Sequence, residues 1–334
     1  MQRRRFGRTN LDIPVLTFGG GYVGGLLIHQ PRETAFHALN RAYDAGIDWV
    51  DTAASYGNGV SETVIGEWLK TRSAGEKPRI STKFRIEPGE PDYLGQARRS
   101  VEASLERLGL SKVEVLFLHN QMLSEGSATP EGPRGMHASR VVADGGVADV
   151  MAQLRAEGLC DWIGITALGE MPAIGQVVDS GRIDGAQVYY NMLNPTADMA
   201  SAPPGWNTDS FAGLLAKCEA NDVGTFGIRI LAAGRLATSD RHGREVPITN
   251  NADDDAETIR AGAVWDAVGL SHGTPAQTAL RFGLRCRSLS TIEVGMAELD
   301  HLEQALAAEQ MGPLPDDCIP PLEQLWHNHP AFTG

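Results

Sequence analysis

Asp51, Tyr56, Lys83 and His119 are side chains whose types, taken together, could do chemistry. Asp51, Lys83 and His119 each end a short apolar run, and Tyr56 lies on the loop just after the first of them. A tyrosine hydroxyl ionises near pH 10, too high for easy proton exchange at neutrality. A neighbouring ammonium stabilises the phenolate and lowers that value, and Lys83 can supply it. Asp51 can pair with Lys83 and hold it charged. His119 can donate a hydrogen bond to a carbonyl oxygen. The set reads as a general acid/base, Tyr56, with an electrostatic tuner and an orienting group. Hydride transfer to or from a carbonyl needs such a set without a covalent nucleophile or a metal. Singly, each residue has a plainer reading: a solvated lysine, a hydrogen-bonded core histidine, a turn aromatic. The ordered set at consecutive strand ends is more specific than any member.

The elements that must carry these residues recur as one unit. Apolar runs at 15–18, 47–51, 79–83, 113–119, 162–166, 186–190, 223–228 and 289–294 read as strands. Helical spacing follows at 31–45, 61–69, 92–108, 146–157, 171–180, 210–220, 254–269 and 299–308. Alternating strands and helices imply a parallel sheet, and eight such units fit a closed (β/α)8 TIM barrel spanning residues 1–334 as one domain. A doubly wound sheet is the runner-up. Residues 3–13 read as an N-terminal β-hairpin turning at Gly7, Arg8, Thr9 and Asn10. Three long loops, 120–145, 191–209 and 232–253, all follow strands, so a barrel gathers them at its C-terminal mouth as a substrate rim. The tail after Gly312 is Pro-rich with little periodicity and is expected outside the barrel or over the mouth.

Composition narrows the class. The net charge of −13 argues against a nucleic-acid partner, which calls for a basic footprint. No apolar run approaches the roughly 20 residues of a membrane helix, and the basic start lacks the apolar core of a secretory signal, so a cytoplasmic protein is expected. The four cysteines are scattered, with neither a zinc pattern nor a disulfide framework. His327 and His329 could ligate a metal, but an exposed pair near a terminus more often has no such role, so no metal is expected. Gly19, Gly21 and Gly24 formally match the dinucleotide-binding glycine pattern after a strand, but the helix that should begin inside it starts only after Pro31. The segment reads instead as a flexible first loop near a cofactor, and Gly20 belongs to it.

Asp51, Thr52 and Ala53, with Tyr56, Gly57, Ser61 and Glu62, resemble the signature of the aldo-keto reductase superfamily. Thr82 and Lys83, Leu118 and His119, the run 163–166 and the run 187–191 follow in that family's order, and the resemblance extends from Phe6 to about Ala308. It implies a barrel with an extended NAD(P) cofactor across the mouth, and it puts the catalytic tetrad on Asp51, Tyr56, Lys83 and His119. It also implies that Thr166 and Gln187 bind the nicotinamide carboxamide, with Ala167 where many members have Asn. Ile228 takes the place of the residue stacked on the nicotinamide; Arg229 could reach the pyrophosphate or a substrate oxygen. Gly234 and Leu236 match the family's Gly-x-Leu. In the last loop Gly295 and His301 occupy positions that are often basic in NADP-preferring members, and Glu298 and Asp300 add negative charge. A 2′-phosphate would be repelled there, which favours NAD over NADP.

The run Val294, Gly295, Met296 resembles the sugar-dehydrogenase branch, such as L-galactose and D-threo-aldose 1-dehydrogenases. The expected activity is therefore NAD(P)-linked oxidation of an aldose or lactol. The alternatives are a general aldehyde or ketone reductase, a weakly catalytic NAD(P)-binding regulatory barrel, or a metal-dependent hydrolase, for which the ligands at strand ends are too few. The substrate and the oligomeric state have no motif.

Overall fold

The computed structural model describes residues 1–240, 243–244 and 253–334. Eight parallel strands close into a barrel in chain order: β1 (Leu16–Gly19), β2 (Trp49–Asp51), β3 (Arg79–Phe84), β4 (Val113–Leu118), β5 (Cys160–Ala167), β6 (Gly185–Tyr189), β7 (Gly224–Ile228) and β8 (Thr291–Gly295). The (β/α)8 architecture expected from the repeats is the one found, and the doubly wound alternative is excluded by the closing pair, β8 against β1 (Ile292 to Leu16, Gly295 to Gly19). Strands buried on both faces favour apolar runs, as in β4 (VEVLFL), while β3 (RISTKF) and β8 (TIEVG) carry polar residues on the face that lines the barrel.

Between the strands run α1 (Arg32–Asp44), α2 (Val60–Leu69), α3 (Tyr93–Leu108), α4 (Val147–Ala156), α5 (Met171–Asp179) and α6 (Leu214–Ala220). After β7 come two helices, not one: α7 (Asp254–Val268) and α8 (Pro275–Arg285). The segment expected at 254–269 to be the barrel's seventh helix packs instead against the C-terminal helix, and α8 takes the place beside β8. Thr274 caps α8 in a reciprocal capping box with Gln277, a pattern legible in the sequence. After α9 (Leu299–Met311), the tail expected to lack periodicity forms α10 (Ile319–Asn328). Its two prolines sit in the first turn, where no intrahelical donor is lost.

The hairpin forms as expected, Arg3–Phe6 against Leu11–Pro14, and it plugs the N-terminal end of the barrel. Phe6 is fully buried among Trp49, Phe117 and Phe226, with its ring 5.1 Å from that of Phe226 and nearly perpendicular to it. Gly224 and Gly185 make room for that ring: a Cβ at Gly224 would lie 2.2 Å from the Phe6 ring. Arg4 ties the hairpin to the segment before β8, donating to the carbonyls of Leu284, Cys286 and Leu289 at 2.6–2.8 Å.

At the opposite end the long loops differ in fate. The loop after β4 folds into a small parallel ribbon, Gln121–Leu123 with Gly135–His137, and a short helix, Ala138–Val142. The loop after β6 packs against the tail: Trp326 donates to the Met192 carbonyl at 2.9 Å, and the Asn207 amide donates to Phe332 at 3.0 Å. The third loop lies partly outside the described residues. No helix among the described residues is long and apolar enough to cross a membrane.

Candidate active site

Strand alternation builds the site. Side chains two residues apart on a strand share a face, so the strands that send Trp49, Ser81, Phe117 and Phe226 inward send Asp51, Lys83, His119 and Ile228 inward one layer higher. Thr166, Gln187 and Glu293 join that upper layer from β5, β6 and β8.

Asp51 and Lys83 form a direct ion pair at this level, with exposures of 0% and 2%. Removing two charges from water is tolerable only when their remaining hydrogen-bonding capacity is met, and here it is. Lys83 Nζ also donates to the Thr52 carbonyl at 2.8 Å, and Asp51 Oδ1 accepts from Ser81 Oγ at 2.6 Å and from Gln187 Nε2 at 3.1 Å. Gln187 donates equally to Glu293 Oε2 at 3.1 Å, and its own carbonyl oxygen accepts from Thr166 at 2.9 Å. One network therefore crosses the barrel from β2 to β8. Behind it, the fully buried Glu62 fixes α2 to its neighbours, accepting from Thr82 at 2.5 Å and from Arg107 Nε at 2.7 Å.

Tyr56 comes from the loop after β2. Gly57, Asn58 and Gly59 follow it with φ of 60°, 52° and 87°, a left-handed run that turns the chain sharply into α2. This brings the Tyr56 ring over the Lys83 ammonium, 4.7 Å from its centre, and edge-on to His119 with centroids 6.0 Å apart. His119 stands one residue beyond β4, its amide donating to the Phe84 carbonyl at 2.8 Å. The four residues singled out by type thus meet in one place.

Their protonation differs from expectation in one respect. Burial pushes the Tyr56 hydroxyl up to about 12; Lys83 is the main influence opposing it, and Glu293 and Asp51 push it further up. Lys83 lowers the tyrosine as expected, but burial outweighs it. Burial also works against the Lys83 ammonium, yet Asp51, Tyr56 and Glu293 hold it above its usual value. His119 falls well below the usual imidazole range through burial and the positive charges of Lys83 and Arg85. At neutrality the site holds an ammonium, a phenol and a neutral imidazole.

Glu293 is a site residue that the strand reading absorbed as core. Burial and then the nearby Asp51 carboxylate raise it to about 8, against the pull of Lys83 and Arg229. The signal was present: Glu293 is a lone carboxylate in an apolar run, on the same face as Thr291.

A cavity of about 740 Å³ opens above this layer, within the range of small-molecule sites. Tyr56 and His119 line one part of it, and Thr166, Gln187, Ile228 and Glu293 line its floor and wall. Arg229, Gly234, Gly295 and His301 line it as well, so most residues expected at a cofactor face it. Three do not. Gly20 is packed where a Cβ would meet Ser61 Oγ at 2.7 Å, and its neighbour Gly21 lines the cavity instead. Leu236 is fully buried in the core. Glu298 stands exposed at the start of α9, outside the lining. Of the rim loops, the first contributes Gln121 and Arg134 and the third Ala233, Gly234, Ala237, Thr238 and Asp240; the second, packed against the tail, contributes none. His327 and His329 bond to backbone groups at Glu323 and Ala331.

The segment after β7 is strained where it meets the cavity. Arg229, Ala232 and Ala233 have φ of 59°, 46° and 56°, values that cost non-glycine residues energy and cluster at functional sites. A strained wall, an open backbone at Gly295 and paired polar groups on the floor suit an extended ligand with a polar ring at its deep end.

Comparison with known proteins agrees. The family model described as aldo/keto reductase family matches residues 15–327. L-galactose dehydrogenase of Arabidopsis thaliana is 26% identical over 92% of this chain and 88% of its own. D-threo-aldose 1-dehydrogenase of a Pseudomonas species is 28% identical over 70% and 71%, and pyridoxal 4-dehydrogenase of Microbacterium luteolum is 25% identical over 91% of each chain. A solved aldo-keto reductase from Bacillus halodurans, in its holo form, superposes with a TM-score of 0.71 at 18% identity, covering 97% of this chain and 96% of that one, a likeness of fold. With its closed barrel, its polar upper layer and a family match over nearly its whole length, this chain belongs to the aldo/keto reductase family, oxidoreductases that act on CH–OH and carbonyl groups with a nicotinamide cofactor.

Proposed function

We propose that residues 1–334 work as one barrel unit, in the cytoplasm, as an aldose 1-dehydrogenase that oxidises the lactol carbon of a small sugar with NAD, or less readily NADP. The observation that carries this reading is the Tyr56 phenol held between Lys83 and His119 at one cavity. Bound nicotinamide supplies the hydride acceptor or donor. Thr166, Gln187 and Glu293 would hold its carboxamide end, and Ile228 would offer an apolar face. Glu293 can replace an acceptor that Ala167 cannot provide, and once ionised, above about pH 8, its carboxylate is complementary to the positive ring of the oxidised cofactor.

In the reducing direction the Tyr56 hydroxyl gives its proton to the carbonyl oxygen, and the neutral His119 imidazole orients that oxygen. In the oxidising direction the phenolate accepts the hydroxyl proton, and Lys83 stabilises the phenolate while it forms. Because the phenol dominates below about 12, oxidation should accelerate from pH 7 to 10 while reduction stays flat.

The preference for NAD is supported at α9. Its N-terminus would attract a phosphate, but Glu298 sits at the cap and Asp300 in the first turn. Fluorescence titration with both cofactors tests this, and tighter binding of NADP would overturn it. The activity is tested by following nicotinamide absorbance with a panel of aldoses. Tyr56→Phe should lower kcat by roughly 100- to 10,000-fold with cofactor affinity kept. Unchanged turnover in that variant would remove Tyr56 from the reaction.

A further inference from the structure

The cavity is not uniform in charge. Arg85, the residue after β3, and Arg134, in the loop after β4, both line it on the side of Tyr56 and His119. Each comes from the end of an element that also positions the site. Arg85 follows Lys83 by two residues, and the Arg134 carbonyl accepts from the amide of Gln121, another lining residue, at 2.7 Å.

These two guanidiniums are unusual in this chain. Other arginines meet either a carboxylate, as Arg107 meets Glu62 and Arg155 meets Asp184, or backbone carbonyls, as Arg4 meets Leu284, Cys286 and Leu289 and Arg281 meets Gly312 and His272. No hydrogen bond from the side chain of Arg85 or Arg134 holds either among the described residues. Among the described residues no carboxylate pairs with Arg85 or Arg134, although acidic residues outnumber basic ones by 42 to 29. Both side chains are exposed to solvent at the cavity, and they lie near enough that Arg85 is lowered by partial burial and then by the like charge of Arg134. Adjacent like charges cost energy, and a planar guanidinium fork matches a carboxylate or phosphate.

Resting on the oxidoreductase reading of the same cavity, we propose that the substrate is an anion, an aldose derivative whose carboxylate or phosphate, remote from the reacting carbon, is held by Arg85 and Arg134. The neutral sugar lacks a partner for this pair. The anionic group would anchor the substrate so that its reacting oxygen reaches Tyr56 and His119, and no step of the hydride transfer changes.

The test uses D-glucuronate, D-glucose 6-phosphate and neutral D-glucose, with the intact protein and NAD. The expected result is a kcat/KM for at least one anion about tenfold or more above that for glucose, lying mostly in KM and shrinking with added salt. In the Arg85→Gln, Arg134→Gln double variant the anion-to-neutral ratio should fall about tenfold or more, and the paired lysine variant should keep part of the preference. Reading a ratio cancels any general loss of activity. A wild-type ratio at or below one, or a ratio unchanged in the double variant, overturns the proposal. Calorimetry with the same three sugars separates this from failure of the reaction itself. Anion binding lost in the double variant upholds the pair even where no hydride moves, and absence of anion binding to the wild type overturns it.

Discussion

The two halves of the barrel interior are built from the same strands and do opposite things. The lower half, at the hairpin end, is an aromatic plug of Phe6, Trp49, Phe117 and Phe226. The upper half is a polar network of Asp51, Lys83, Thr166, Gln187 and Glu293. On β2 the change takes one step of the strand repeat, from Trp49 to Asp51. The lower layer excludes water and fixes the strands, and the upper layer spends that rigidity on holding charges in a dry place. Ser81 joins the two, accepting from the Trp49 indole at 3.1 Å and donating to Asp51 at 2.6 Å.

Substitutions can break this division at known points. Phe226→Ala empties the centre of the plug and should cost about 3–5 kcal/mol in urea unfolding. If the halves are as distinct as their contacts, the surviving folded protein keeps its cofactor affinity at low denaturant; loss of affinity in step with stability would show that they are not. Ser81→Ala should cost less, about 1–3 kcal/mol, because it leaves a buried carboxylate oxygen and an indole short of a partner. Unlike Phe226→Ala it should also lower kcat, since it touches the Asp51–Lys83 pair.

Glu293→Gln should have the smallest effect and the most informative one. Glu293 titrates near 8 in the folded protein, above the ordinary carboxylate value. The folded state therefore binds the extra proton between about pH 4.5 and 8, and the stability tied to it is lost as pH rises through that window. Thermal melts should show little difference between variant and wild type at pH 5 and a relative gain for the variant above pH 8. Above pH 8, where Glu293 is ionised, the same substitution should weaken oxidised cofactor more than reduced cofactor. An equal effect on both would separate Glu293 from the nicotinamide ring.

Much of this was legible before any coordinates, for reasons that are local. The eight repeats gave the barrel because strand and helix periods differ, and the hairpin was marked by a turn whose Asn10 adopts φ of 55°. What was missed lies where local pattern is silent or was overridden. The capping box at Thr274 announced α8, but the longer run before it drew the assignment. The Pro-rich tail hid α10 because the place of its prolines in a first turn depends on where the helix starts. The partner of the loop after β6 is a tail more than a hundred residues downstream, which no window of sequence contains. Asp51, Tyr56, Lys83 and His119 stood out by type and order, whereas Glu293 hid in an apolar run and Arg85 and Arg134 belong to no motif.

The seam between β1 and β8 joins residues 16–19 to residues 292–295. During synthesis a ribosome releases the strands that carry Asp51 and Lys83 long before β8, which completes the ring between β7 and β1. Until then β1 and β7 have no partner on their β8 sides. Long-range closure of this kind is slow and exposes sticky intermediates. The polar floor of the cavity is therefore among the last parts of the molecule to come into existence, and a chain truncated before residue 291 should lack both the ring and the electrostatics that depend on it.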